Sequence, residues 1–280
     1  MRARWTGSRA PSIVEAPEPA DEVIPEHAEH AIRWFTAWGR AGRFAALAAA
    51  AALSRETYTA ETRDIAIRQI YFTAWQLLLG FMAFSAALSL LVVQITVNAA
   101  RTYGLSDYAL ELVFRVLILE LLPFSTALIV ALRSGSAISA EVALMHASGE
   151  FAELQARGVD PLKRLLVPRV VACALSVPVL TVFSCSVAFV FAYLAMYGTS
   201  PWGFEEYTRE IGSVFSVPGI AGFLLKTVSF GIVVAVIPIA AGMDATASLK
   251  SAPIAVMGGM VRLIVALVGI EALSLAVKYV

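Results

Sequence analysis

The chain has 280 residues, 59% of them hydrophobic and 15% charged, with a mean hydropathy of +0.77; soluble domains average roughly 45–50% apolar and about 25% charged. Its 21 Lys and Arg balance 21 Asp and Glu, so the formal net charge is zero. This excludes an ordinary soluble enzyme, a disordered chain and a nucleic-acid binder working through bulk positive charge, and it leaves a polytopic membrane protein.

Residues 1–30 set Pro11, Pro17, Pro19 and Pro25 among Glu15, Glu18, Asp21, Glu22, Glu26 and Glu29. So little apolar content cannot offset the entropy of ordering, which predicts a disordered acidic tail. The stretch lacks the apolar core of a signal peptide, and its acidity disfavours a transit peptide. Residues 31–53 differ. Trp34, Phe35, Trp38 and Phe44 alternate with Arg33, Arg40 and Arg43 before an alanine-rich run. Helical spacing puts the cations on one face with aromatics beside them. Such a helix lies in the headgroup plane, anchored by Arg33, Trp34, Trp38, Arg40 and Arg43 on lipid phosphates and interface, or else packs on the protein.

A spanning helix needs about 20 mostly apolar residues. Five segments qualify: 70–97, 112–132, 170–197, 218–243 and 254–277. Near the end of the first, Gln94, Asn98 and Tyr103 lie among Leu91, Val93 and Val97. They either meet a headgroup, with the aliphatics holding acyl chains, or mark the water interface. The second carries Arg115 and Glu120. An ionised side chain at such depth costs about 2.5–3.5 kcal/mol on insertion scales, so Glu120 must face protein or water. Pro123 has no N–H for the Leu119 carbonyl, which predicts a kink beside Glu120. Two roles stay open for Glu120: a polar spot in a lipid pathway, or a partner for Lys226 or Arg262 across helices.

The connection over residues 133–169 is too long for a simple link. Ser139 can cap a helix over 140–156, with Glu141 in its first turn, Met145 on one side and Glu150 and Glu153 on another. Gly158 then stops it, and Asp160 and Pro161 turn the chain. This element is either a lever that docks a partner or a helix lying on the membrane. The third span holds no charge, and Cys173 and Cys185 within it read as small buried side chains. Over residues 202–215, Phe204, Tyr207, Ile211 and Phe215 oppose Glu205, Glu206, Arg209 and Glu210, which predicts a short helix on the outer membrane face. The last span carries Arg262 and Glu271, too far apart to pair on one helix face, and the small residues Ala255 and Gly259, which permit close helix contact.

The Lys and Arg bias of the short connections sets orientation. Arg55, Arg63, Arg68, Arg133, Arg157, Lys163, Arg164, Arg169 and Lys250 fall on one side, against Arg101, Arg209 and Lys278 on the other. The N-terminus is therefore expected in the cytoplasm and the C-terminus outside. The sequence contains no H-E-x-x-H metal site, no G-x-S-x-G elbow and no Walker loop. No catalytic or metal residue is nominated. Any nucleotide energy must come from another chain.

The stretch L-E-L-L-P-F-S-T-A-L-I-V-A-L-R-S-G-S-A-I-S-A-E-V-A-L-M, residues 119–145, resembles the MlaE (YrbE) family of ABC-transporter permeases. So do G-V-D-P-L-K-R-L-L-V-P-R (158–169), G-R-A-G (39–42), R-Q-I-Y (68–71), K-T-V-S-F (226–230) and G-M-D-A (242–245). The resemblance covers about residues 31–280. It implies a bacterial inner-membrane permease moving phospholipid between that membrane and a periplasmic MCE-domain carrier, as part of the traffic that keeps the outer membrane asymmetric. It implies two copies of the chain and a separate cytoplasmic ATPase that binds ATP and Mg, with no cofactor in this chain. It places Leu91, Gln94, Val97, Asn98 and Glu120 along the lipid path. Glu141, Met145, Glu150, Glu153, Gly158, Asp160 and Pro161 would meet the ATPase. The family's usual R-E-L-G-P reads L-E-L-L-P at 119–123, without the arginine beside the glutamate. The usual A-G-R-A-G-S reads A-L-R-S-G-S at 131–136, and His146 stands where an arginine is common.

The expectation is thus an all-α polytopic membrane protein. It has five transmembrane helices, one N-terminal interfacial helix and a cytoplasmic coupling helix. The alternative is a stand-alone ion-coupled transporter using Glu120, Lys226, Arg262 and Glu271 as a relay.

Overall fold

The computed structural model describes residues 26–53, 76–244 and 252–279. Within them every regular element is a helix. Five helices are long and apolar enough to cross a membrane. Residues 1–25, Arg55, Arg63, Arg68–Tyr71, Ala245 and Lys250 lie outside the described residues, as do the side chains of Arg33 and Ala255.

Helix α1 (Glu26–Leu53) begins before the expected residue 31, inside the stretch read as tail. The chain divides into two units, Met1–Thr36 and Ala37–Val280. In the first, Trp34 and Phe35 stack edge to face at 5.2 Å and both are exposed. In the second, Ala37, Ala41, Phe44, Ala48 and Ala51 form one buried stripe along α1. The alternating steps of four and three residues keep this stripe on one face, and its small side chains bring α1 close to the bundle. From Ala37 onward α1 therefore packs on protein, with Trp38 half-buried against the core and Arg43 exposed.

The spans are α2 (Gln76–Thr102), α3 (Ala109–Ala147), α5 (Leu162–Tyr197), α7 (Val217–Met243) and α8 (Ala252–Tyr279). Between them lie α4 (Glu150–Ala156) and α6 (Phe204–Val214). Helix α7 is central: it packs along α5, α8 and the C-terminal half of α3. It is apolar all round, as a buried helix should be, and its glycines set the spacing. A Cβ on Gly231 would strike the Ala174 carbonyl of α5. One on Gly242 would sit 2.6 Å from the Ser139 carbonyl of α3. Pro178 has no N–H to give that Ala174 carbonyl, so Gly231 lets α7 lie over a spot where α5 has a gap in its own ladder.

The expected coupling helix over 140–156 is corrected. Helix α3 does not end near residue 132; it runs unbroken to Ala147. At 1.5 Å per residue its 39 residues make about 58 Å, nearly twice the roughly 30 Å of hydrocarbon. Ser139 is a fully buried mid-helix residue and caps nothing. The break comes at Gly149, whose φ of +78° only glycine adopts freely. A second left-handed glycine, Gly158 at φ +74°, closes α4. Apolar content and period were right here, but no Pro or Gly pair near residue 135 was strong enough to stop a helix that also packs on α7.

At the other end of the bundle, α6 follows a 3-10 turn over Pro201–Gly203. It buries Tyr207 and Val214 against the bundle and leaves Phe204 exposed. Tyr207 Oη donates to the Phe189 carbonyl at 2.7 Å, and its ring meets Phe114 at 5.5 Å. Burial first, then Tyr197, push the Tyr207 phenol well above its ordinary range, so it stays a donor.

Candidate functional site

Pro123 leaves the Leu119 carbonyl of α3 without its usual partner. The helix widens there into i→i+5 hydrogen bonding over Val113–Leu121, with Leu122 N–H reaching back to the Leu117 carbonyl. Such widened turns accumulate at functional sites. The vacated Leu119 carbonyl accepts from Lys226 Nζ of α7 at 3.2 Å. Lys226 also donates to Glu120 Oε2 and, at 2.9 Å, to Glu271 Oε1 of α8. Its three donors thus have three acceptors. Glu120 Oε1 accepts a second ammonium, Lys278 of α8, at 2.7 Å.

Two carboxylates and two ammonium groups from three helices therefore join in one network. The Lys226 side chain is 3% exposed, those of Glu120 and Glu271 14% and 16%, and that of Lys278 28%. Buried charges hold only when paired and fully hydrogen-bonded. Of the two roles open for Glu120, the pair with Lys226 is the one formed; Arg262 pairs instead with Asp244, at 3.8 Å.

Glu120, Lys226 and Lys278 of this network line a cavity of about 560 Å³ between α3, α7 and α8. Its walls are mostly apolar, including Leu119, Phe223, Leu225 and Val277, and Arg115 adds a cation paired with Glu111 at 2.8 Å. Glu120 is thus ion-paired and also lines a cavity. The other residues expected along a lipid path do not join it. Leu91, Gln94 and Asn98 are exposed on α2, and Val97 is buried in the cluster that packs α2 on the start of α3. Lys278 was missed as a site residue; in sequence it is only a basic residue at a span end.

The residues expected to meet an ATPase also separate. Glu141 Oε1 accepts from Arg169 Nη2 at 2.7 Å, and Arg169, 8% exposed, also lies 3.7 Å from Met145 Sδ. These three clamp the end of α3 to the start of α5. Glu150, Glu153 and Gly158 are exposed on or beside α4, which buries none of its residues. Asp160 Oδ1 accepts from Leu162 N–H at 2.9 Å and caps α5, and Pro161 is buried. Of the expected lipid anchors, Arg40 is turned to protein: Nε and Nη2 donate to the two Asp244 oxygens at 2.7 and 3.1 Å. That hydrogen bond holds the Arg40 guanidinium above its ordinary value.

A bundle of five spans with a charge-lined cavity and an exposed helical knob defines a membrane transport subunit. The family model described as "Permease MlaE" matches residues 66–277, and the chain belongs to that family. It is 34% identical over 142 residues to the "Intermembrane phospholipid transport system permease protein MlaE" of Haemophilus influenzae, covering 48% of this chain and 52% of that one. It is 31% identical over 134 residues to the "Probable ABC transporter permease protein slr1045" of Synechocystis, covering 47% and 50%. The same identity and length hold for "Protein TRIGALACTOSYLDIACYLGLYCEROL 1, chloroplastic" of Arabidopsis thaliana, covering 47% and 37%. The chain thus spans about half the length, or less, of these relatives.

Proposed function

We propose that this chain is the membrane-spanning permease of an ATP-driven phospholipid transporter. The observation that carries the reading is the charged set of Glu120, Lys226 and Lys278, with Glu271 held on Lys226, in an apolar-walled cavity. A phospholipid needs this combination: apolar walls for acyl chains and fixed charge for a headgroup. The family and the phospholipid system named for the Haemophilus influenzae relative support it.

In this reading the N-terminus is cytoplasmic, the C-terminus periplasmic and the membrane the bacterial inner one. The Lys and Arg bias supports that orientation. A separate ATPase, holding ATP and Mg, docks at α4, where Glu150 and Glu153 are exposed. The clamp of Glu141, Met145 and Arg169 carries its motion into α3 and α5. Two copies of the chain enclose the path, and an MCE-domain protein receives or delivers lipid on the far side. Arg262 stands with Asp244, apart from the other three ionisable residues, so a continuous ion relay lacks one member.

The test is ATP-driven movement of labelled phospholipid by the chain reconstituted with its ATPase. Glu120→Ala, which leaves Lys226 and Glu271 paired, should lower transport at least about tenfold, the loss of one charged contact of about 1.5–3 kcal/mol. Full transport by a normally expressed Glu120→Ala chain would remove Glu120 from the path.

A further inference from the structure

The three cations that line the cavity are not equally engaged. Lys226 gives all three donors to Leu119, Glu120 and Glu271, and Lys278 donates to Glu120. Arg115 differs. Among the described residues its one polar partner is Glu111, which accepts from Nε at 2.8 Å. A guanidinium carries five donors in a planar fork, so the Nη1 and Nη2 end of Arg115 keeps its hydrogen-bonding capacity. Arg115 lines the cavity and Glu111 does not. With 41% of its side chain exposed, Arg115 is open to a ligand. It stands six residues, about 9 Å, into α3, and Glu120 lies about 7.5 Å deeper. The free fork is therefore near the entrance to the bundle and the buried charges are further in. Along α7 the lining continues inward from Pro218 to Ser229, about 16 Å.

We propose that Arg115 is the specificity-determining cation of this cavity, holding the phosphodiester of an acylated lipid on Nη1 and Nη2. The inference rests on the phospholipid reading above and deepens it. The two non-bridging oxygens of a phosphodiester match the guanidinium fork, and such bidentate pairs are both strong and directional. Glu111 on Nε restrains the guanidinium beforehand, so less side-chain freedom is lost when the lipid binds. Leu119, one turn further along α3, lines the same cavity, as do Phe223, Leu225, Ile270 and Leu273. These apolar side chains take the acyl chains of a lipid whose phosphate rests on Arg115. A lipid with the same chains and no phosphate leaves the fork empty.

The experiment uses the purified full chain in neutral detergent. Thermal stabilisation is measured with phosphatidylglycerol, with diacylglycerol of the same chains, and with glycerol 3-phosphate. Wild type should bind phosphatidylglycerol about tenfold tighter than diacylglycerol, one charged contact's worth. Arg115→Gln should bind the two lipids alike. Arg115→Lys, which keeps the charge and loses the fork, should keep only part of the preference. Should Arg115→Gln misfold, guanidinium labelling of wild type with phenylglyoxal gives a second readout: phosphatidylglycerol, and not diacylglycerol, should shield Arg115. A retained preference in Arg115→Gln, equal binding of both lipids by wild type, or no shielding overturns the role of Arg115. An undiminished preference in Arg115→Lys overturns the two-nitrogen contact. Stabilisation by glycerol 3-phosphate equal to that by phosphatidylglycerol overturns the lipid as source of the phosphate. If neither lipid stabilises wild type, the phospholipid reading itself fails.

Discussion

Lys226 illustrates how a single residue resolves two local problems. Pro123 strands a carbonyl on α3, and Glu120 and Glu271 bring two carboxylates into an apolar bundle; one ammonium meets all three. Replacing Lys226 by Met leaves both carboxylates without that partner. Loss of one member of a buried ion pair typically costs about 3–5 kcal/mol, so Lys226→Met should melt far below wild type in detergent. The double variant Lys226→Met, Glu271→Gln removes one stranded charge and should recover much of the loss, because Glu120 keeps Lys278. Equal melting of the single variant and wild type would show that the carboxylates need no counter-ion. The need for a partner at Glu120 was legible in the sequence from depth alone. Which cation supplied it was not, because Lys226 and Arg262 both qualified by composition. The choice depends on how α7 and α8 stagger, and that is set by close contacts such as Gly259 on Ala241.

At the scale of elements, the spans were readable because an apolar run of about 20 residues has few alternatives. Their ends were less so. The Arg133, Ser134, Ser136 and Ser139 cluster reads as a loop and a cap by local propensity. In the structure it is helix, because Gly242 of α7 lies against Ser139 and Val142 and buries that face. Tertiary packing overrides a weak local preference. The chain turns from α3 into α4 at Gly149, a left-handed residue. An Ala there carries strain of about 1–2 kcal/mol, which shifts the population of the native α3–α4 angle roughly 5- to 30-fold. If an ATPase docks at α4 as proposed, Gly149→Ala should reduce its stimulation about fivefold or more while leaving the melting temperature of the spans little changed. Gly212→Ala is the control, since Gly212 is an exposed helical glycine with open space at its Cβ. Unchanged stimulation in Gly149→Ala would mean that the angle between α3 and α4 transmits nothing.

For the whole molecule, burial is uneven in a way that bears on assembly. The most apolar windows of α3, α5 and α7 are 56%, 50% and 44% buried within one copy, but those of α2 and α8 only 22% and 17%. Lipid tails are as apolar as leucine, so exposed aliphatics alone do not drive helices together in a bilayer. A second copy is called for by the cavity instead. Its rim is formed by α8, a helix that one copy leaves largely uncovered. A charged path open to the bilayer along that helix would leak lipid sideways, whereas a second copy against α8 would close it. This predicts that a cysteine at Val265 on α8, which is exposed, forms cross-links between copies in membranes. Val190 on α5, equally exposed but away from the cavity rim, should give none. Cys173 and Cys185 are both buried, so the unsubstituted chain provides a silent background. Cross-linking at Val190 with none at Val265 would put the second copy on the wrong face to close the path, and the lipid route would then have to lie within one chain.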